Sequence, residues 1–132
     1  MKCFWQVFRL ERTGVLMKKK GYRGSRCEKR KLSKCADGVA KTYTDIESKL
    51  ADLLQKDDEI KEFRCNVLLD GFPEGEYCSD FVCIETDGDM MVRECVYRKM
   101  IAKPMTIRLL DASREYWLKH GVSDWGIVVE KE

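Results

Sequence analysis

The sequence predicts a single α/β domain of 132 residues, with an N-terminal strand and a basic loop ahead of a core of order α-β-β-β-α-β on a mixed sheet. Three observations carry this expectation. Apolar residues recur with helical period at Ile46, Leu50, Leu53 and Leu54. Three segments then alternate or run apolar between turn clusters. A second helical segment, bracketed by Pro104 and Gly121, leads into the short apolar run Trp125 to Val129. Residues 1–42 form the strand and arm, and residues 43–132 the core.

Met1 to Leu10 reads as a strand and Glu11 to Gly14 as a turn. The segment after it contains Gly21, Gly24 and Ser25 without a clean period, which predicts a loop or arm. Thr44 with Glu47 three residues on is a capping box opening a helix that runs to Gln55. Phe63, Cys65, Val67 and Leu69 alternate as a strand, and Asp70 to Gly75 is a turn cluster. Tyr77 to Glu85 and Met90 to Arg98 are two more strands, joined through Thr86-Asp87-Gly88. A two-residue loop would set Asp80 opposite Cys95. A three-residue loop, with Gly88 left-handed in a bulge, sets Asp80 opposite Glu94, Val82 opposite Val92 and Ile84 opposite Met90. The second register gathers the apolar pairs on one face, as a half-buried sheet requires. In the last helix Ile107, Leu110, Arg114, Trp117 and Leu118 share a face, and the return into a buried strand predicts a crossover.

A hydrophobic share of 44% with 36% charged residues describes a globular protein with a charged exterior. No apolar run reaches the ~18 residues of a membrane span, and Arg9 and Glu11 interrupt the opening apolar stretch, so a cytoplasmic protein without membrane contact is expected. Seven cysteines at irregular spacing, with no Cys-x-x-Cys, read as reduced thiols, and His120 as the single histidine argues against zinc. His120 falls in the last turn of a helix, where a histidine has an ordinary structural reason to be. The net charge of +2 conceals an asymmetry: Lys18 to Lys34 carries nine basic residues against Glu28, leaving the rest of the chain at −6. Such a segment fits either a polyanion contact or a solvated run.

Two carboxylates facing each other across strands repel by roughly 4 kcal/mol at ~4 Å and a near-surface dielectric. A shared proton, a hard divalent cation, or escape of one group to solvent relieves this. Glu47 lies ~100° from Ile46 around the first helix, at the border of the apolar face, where it serves as a capping glutamate, leans towards a site on the sheet, or does both.

Thr44-Asp45-Ile46-Glu47-Ser48-Lys49-Leu50, the acidic turn Asp57-Asp58, Ser79-Asp80-Phe81-Val82 and Val92-Arg93-Glu94 together resemble the PD-(D/E)xK, restriction-endonuclease-like nucleases, most of all the TnsA-type endonuclease subunits of cut-and-paste transposons. The likeness spans about Tyr43 to Val129. It implies a metal-dependent DNA endonuclease in which Glu47, Asp80 and Glu94 hold Mg²⁺ or Mn²⁺, with a transposase-type protein as partner. The lysine of the E-x-K element is replaced by Val96, and Arg98 stands next in line by strand parity, ahead of Lys99 and Lys103. Arginine stabilises charge but stays protonated and cannot act as a base. Lys18, Lys19, Lys20, Arg23, Arg26, Lys29, Arg30 and Lys31 would neutralise DNA phosphates, and Tyr22 would stack on a base. The other reading of Val96 is a catalytically impaired nuclease-fold module that binds nucleic acid or a protein.

Overall fold

The computed structural model describes residues 6–11 and 27–131. In chain order its elements are β1 (Gln6–Glu11), β2 (Glu28–Lys31), β3 (Val39–Thr42), α1 (Asp45–Lys56), β4 (Ile60–Leu68), β5 (Cys78–Glu85), β6 (Met90–Cys95), α2 (Arg98–Ile101), α3 (Pro104–Lys119) and β7 (Asp124–Lys131). The protein is mixed α/β, with a five-stranded sheet in the order β1-β7-β6-β5-β4 and a separate two-stranded ribbon of β2 and β3. Strands β4, β5 and β6 are antiparallel neighbours, while β7 runs parallel to β6 and β1 parallel to β7. No helix among the described residues is long and apolar enough to cross a membrane.

The sheet separates two apolar layers. On one side Ile46, Leu50, Ala51 and Leu54 of α1 pack on Phe63, Phe81, Cys83, Cys95 and Val128. On the other, Leu110 and Trp117 of α3 pack on Val82, Val92, Val96, Trp125, Ile127 and Val129. Interior strand β7 serves both layers because alternate side chains leave opposite faces, which is why Ile127, Val128 and Val129 are apolar in a row. The face of α3 that packs is Leu110, Ser113 and Trp117, whereas Ile107 and Leu118 are exposed. The expected α3 stripe was therefore displaced, because a serine occupies one of its buried positions.

The β5–β6 hairpin has the register with the three-residue loop: Val82 pairs with Val92 and Ile84 with Met90, and Gly88 has φ +94°. Glu85 N–H donates to the Asp89 carbonyl at 2.7 Å, closing Thr86-Asp87-Gly88. The α1 cap forms as the sequence predicts, with Glu47 N–H donating to Thr44 Oγ1 at 3.1 Å.

Two further expectations are corrected. Residues 28–42, read as loop, contain the β2–β3 ribbon, with Glu28 opposite Thr42, Lys29 opposite Lys41, Arg30 opposite Ala40 and Lys31 opposite Val39. Four charged residues in a row give β2 no apolar period, so nothing in it reads as a strand. Strand β6 ends at Cys95, and Arg98 opens α2 instead of continuing it. The arm residues Lys18, Lys19, Lys20, Arg23 and Arg26, with Tyr22, lie outside the described residues.

The ribbon is fastened to α1 and β4. Arg30 forms an ion pair with Asp52 and donates to the Ser48 carbonyl at 2.9 Å. Ser48 Oγ donates to Glu28 at 2.7 Å, and Asn66 Nδ2 to the Lys41 carbonyl at 3.0 Å. Ala40 and Cys35 bury their side chains in the α1-side layer. Arg30→Met keeps the stem and removes the guanidinium. It is expected to lower stability by about 1 kcal/mol, the pair being partly exposed and screened, and to speed amide exchange across 28–42 while the central sheet stays protected. Exchange read by mass spectrometry checks this; unchanged protection of the ribbon would show the tether to be idle.

Candidate functional site

At Asn66 and Asp80 the β4–β5 pair turns over. Cys65 and Phe81 pack in the α1-side layer, but Val67 packs in the α3-side layer and Ser79 bonds there. Straight alternation would put Ser79 on the same face as Phe81. Asn66 absorbs the change with φ +55°, a left-handed conformation that asparagine tolerates better than most side chains. The turnover delivers Ser79 to Glu94.

Glu94, at 0% exposure, accepts three hydrogen bonds among the described residues. Ser79 Oγ and Ser113 Oγ each donate to Oε2 at 2.7 Å, and the Asp80 N–H donates to Oε1 at 3.1 Å. Behind the serines stand two indoles: Trp117 Nε1–H donates to Ser79 Oγ at 3.0 Å and Trp125 Nε1–H to Ser113 Oγ at 3.1 Å. Asp80 Oδ2 accepts from the Cys95 N–H at 2.7 Å. The last ladder pair of β5 and β6 is Phe81 with Arg93. Beyond it each acid takes a backbone N–H of the opposite strand, so the carboxylates splice the strands where the ladder stops.

The structure thus sets Asp80 beside Glu94 across the strand pair, but the turnover keeps the two carboxylates from facing each other in one layer as expected, and it places Glu47 elsewhere. Glu47 is buried on α1, its Oε1 accepting from the Tyr43 N–H at 2.9 Å, on the side of the sheet opposite Ser113 and the Glu94 carboxylate. Arg98 is also placed apart: its N–H donates to Glu130 Oε1 at 2.7 Å and its Nε–H to the Glu130 carbonyl at 3.0 Å. The parity expected of it fails because β6 has already ended. Lys99 and Lys103 are exposed, and Val96 is packed in the α3-side layer.

Mg²⁺ demands near-octahedral oxygen ligation and usually retains several waters. Glu94 has no exposed surface and its oxygens face three donors, two of them hydroxyls already fixed by indoles. Asp80 Oδ2 accepts a backbone N–H, and Glu47 lies across the sheet from the Glu94 carboxylate. This donor set does not fit Mg²⁺ or Mn²⁺. Among the described residues the acids that converge, within 4.8 Å, are Glu85, Asp87 and Asp89 at the exposed hairpin tip. Their closeness follows from the turn, in which Asp87 Oδ1 accepts the Asp89 N–H at 2.9 Å.

Sequence reasoning missed Ser79, Ser113, Trp117 and Trp125 as a network. Ser113 and Trp117, four apart on one helical face, were the available signal. It missed Lys41 as well, which the ribbon register sets directly opposite Lys29. Of the basic residues predicted to bind and described here, Lys29 and Lys31 are exposed, whereas Arg30 is spent on α1. Compared with known proteins, the chain matches no family model and no curated sequence.

Burial pushes the Cys83 thiol up to about 12, and burial followed by the neighbouring Cys35 thiol pushes Cys65 up as well. An unfolded thiol titrates near ~8.5. The native state therefore keeps a proton that the unfolded chain releases, so this contribution is complete below about pH 8.5 and is lost as pH rises towards 12. One such group accounts for about 2 kcal/mol of lost stability by pH 10. Urea unfolding from pH 7 to 10 is expected to show the decline, with a shallower slope in Cys83→Ala. A second expectation concerns the carboxylate. Glu94→Ala strands three buried donors and should cost about 3 kcal/mol or more, while Glu94→Gln, keeping one acceptor oxygen, should cost about 1–3 kcal/mol. Equal stability of both variants with the wild type in urea would mean the network contributes nothing.

Proposed function

We propose that this chain is a nucleic-acid-binding module on a nuclease-like α-β-β-β-α-β core, in which the two sheet carboxylates hold strands together and do not cut phosphodiesters. One observation carries the proposal: Glu94 is sealed from solvent and accepts hydrogen bonds from Ser79, Ser113 and the Asp80 N–H. A hydrolytic metal site needs open positions for water and a phosphate oxygen, and a carboxylate enclosed by two serines and two tryptophans offers none. The sequential strand order from β4 to β7, with β7 parallel to β6, supports the nuclease-like reading of the core. Val96 supports the loss of chemistry, since an apolar side chain stands where the family resemblance puts an ammonium.

Nucleic acid is favoured as ligand by the charge asymmetry: +8 between Lys18 and Lys34 on a body of −6. Phosphate neutralisation of this kind is steeply salt-dependent and largely indifferent to sequence. Anisotropy of a labelled duplex is expected to give equal affinity in EDTA and in Mg²⁺, with a log–log salt slope near ~0.9 per phosphate contacted, and supercoiled plasmid should stay uncut in Mg²⁺ or Mn²⁺. Metal-dependent nicking that disappears in Asp80→Ala would overturn the proposal and restore the endonuclease reading.

A further inference from the structure

The β2–β3 ribbon has two unlike faces. The inward one carries Glu28, Arg30, Ala40 and Thr42, with Ala40 and Thr42 buried and Arg30 paired to Asp52. The outward one carries Lys29, Lys31, Lys41 and Val39, and all three lysines are exposed. Lys29 and Lys41 are direct cross-strand partners, so their side chains leave the same face a few ångströms apart. Lys31 follows Lys29 at the next outward position, roughly 7 Å along the strand. Among the described residues no ion pair engages Lys29, Lys31 or Lys41.

Like charges directly opposite each other weaken a ribbon, and a glutamate at either position would strengthen it. This ribbon is four residues long on each strand and depends on its inner face for attachment. It nevertheless presents no acid at any outward position. An unrelieved lysine pair on a short ribbon fits a polyanion that supplies the missing countercharge from outside. The outward face is also free of large apolar groups apart from half-buried Val39, which disfavours insertion into a lipid surface.

We infer that the outward face of the β2–β3 ribbon is a phosphate-backbone contact made by Lys29, Lys31 and Lys41, and that Arg30 is its tether and not one of its contacts. This rests on the nucleic-acid reading above and gives it a location. Lys41 is the residue that decides the matter, because it lies outside the basic run of the sequence and joins the patch only through strand pairing.

The test uses the full chain with a 20-base-pair duplex, a single strand of the same length and phosphatidylserine vesicles. Lys29→Glu and Lys41→Glu are compared with Lys61→Glu, an equal charge change at an exposed position of β4. Each ribbon variant is expected to bind duplex roughly tenfold more weakly at 0.1 M salt, with the salt slope reduced by about one, the effect of a lost phosphate contact. Lys61→Glu should change affinity far less. Thermal unfolding supplies a readout that a structural role would not give. Lys41→Glu creates an opposite-charge pair with Lys29, so its melting temperature should rise while its affinity falls. Lys41→Gln, which only neutralises, should show the same opposition in smaller measure and covers the case of a misfolded reversal. A wild type that binds duplex while both ribbon variants bind equally well overturns the ribbon and leaves the module reading in place. A wild type that binds neither nucleic acid, or vesicles alone, overturns both.

Discussion

An indole N–H can only donate, and two of them dictate the polar interior of this protein. Trp117 and Trp125 give their protons to Ser79 and Ser113, so each serine oxygen is occupied as an acceptor and must send its own proton onward. Both send it to Glu94 Oε2. The direction of every bond in the network is therefore set by residues that have no choice, and Glu94 is left with an acceptor's role. Removing any member leaves a buried group without its partner, at about 1–3 kcal/mol for each. The network also joins four elements, since Ser79 comes from β5, Glu94 from β6, Ser113 and Trp117 from α3, and Trp125 from β7. It fixes α3 in position and orientation over the sheet, which apolar contact alone does less selectively.

The turnover at Asn66 and Asp80 is the backbone condition for that network. With straight alternation Ser79 would face α1, and the side chain reaching α3 would be the Asp80 carboxylate, opposite Glu94. Two carboxylates would then meet in an apolar layer, the arrangement the sequence invites one to expect. The turnover, at the level of left-handed Asn66 on the neighbouring strand, exchanges that repulsion for a hydroxyl donor. Asp80 in turn takes the Cys95 N–H, closing a gap that the interrupted β5–β6 ladder would otherwise leave. The same two acids that look like metal ligands in a list of residues behave as strand connectors once the pleat is known.

The core was legible where a period or a turn left a signature: the Thr44 cap of α1, the three-residue loop at Gly88 and the buried run of β7 formed as read, while the Glu47 side chain of the expected capping box takes the Tyr43 N–H. The site was legible only in part. Asp80 and Glu94 are adjacent, as the register implied, because cross-strand distance follows from turn length. Their roles were not legible, because these depend on which face each side chain leaves, and the turnover of the β4–β5 pair reverses that. Arg98 failed through a boundary: parity holds only while a strand lasts, and this one ends at Cys95. The ribbon was hidden for a different reason. Lys29-Arg30-Lys31 reads as a solvated charge run, yet its middle residue points inward to Asp52 and its neighbours outward, an alternation of contact and not of polarity.

The positions of the lysines and of Glu94 bear on each other. Leu32, Cys35 and Ala40 around the ribbon pack into the α1-side layer, and Arg30 ties the ribbon to α1 itself. The Glu94 carboxylate sits in the α3-side layer beneath Ser113. On the contact proposed above, a phosphate backbone lying on Lys29 and Lys41 would be on the side of the sheet away from Glu94. A nuclease needs its phosphate-holding cations and its metal-holding acids around one phosphorus, because positioning and charge stabilisation act over a few ångströms. Here Glu94 is divided from the ribbon lysines by the sheet. The serine cage around Glu94 is thus the observation that weighs against chemistry at this carboxylate, and the ribbon lysines add no cation on its side of the sheet.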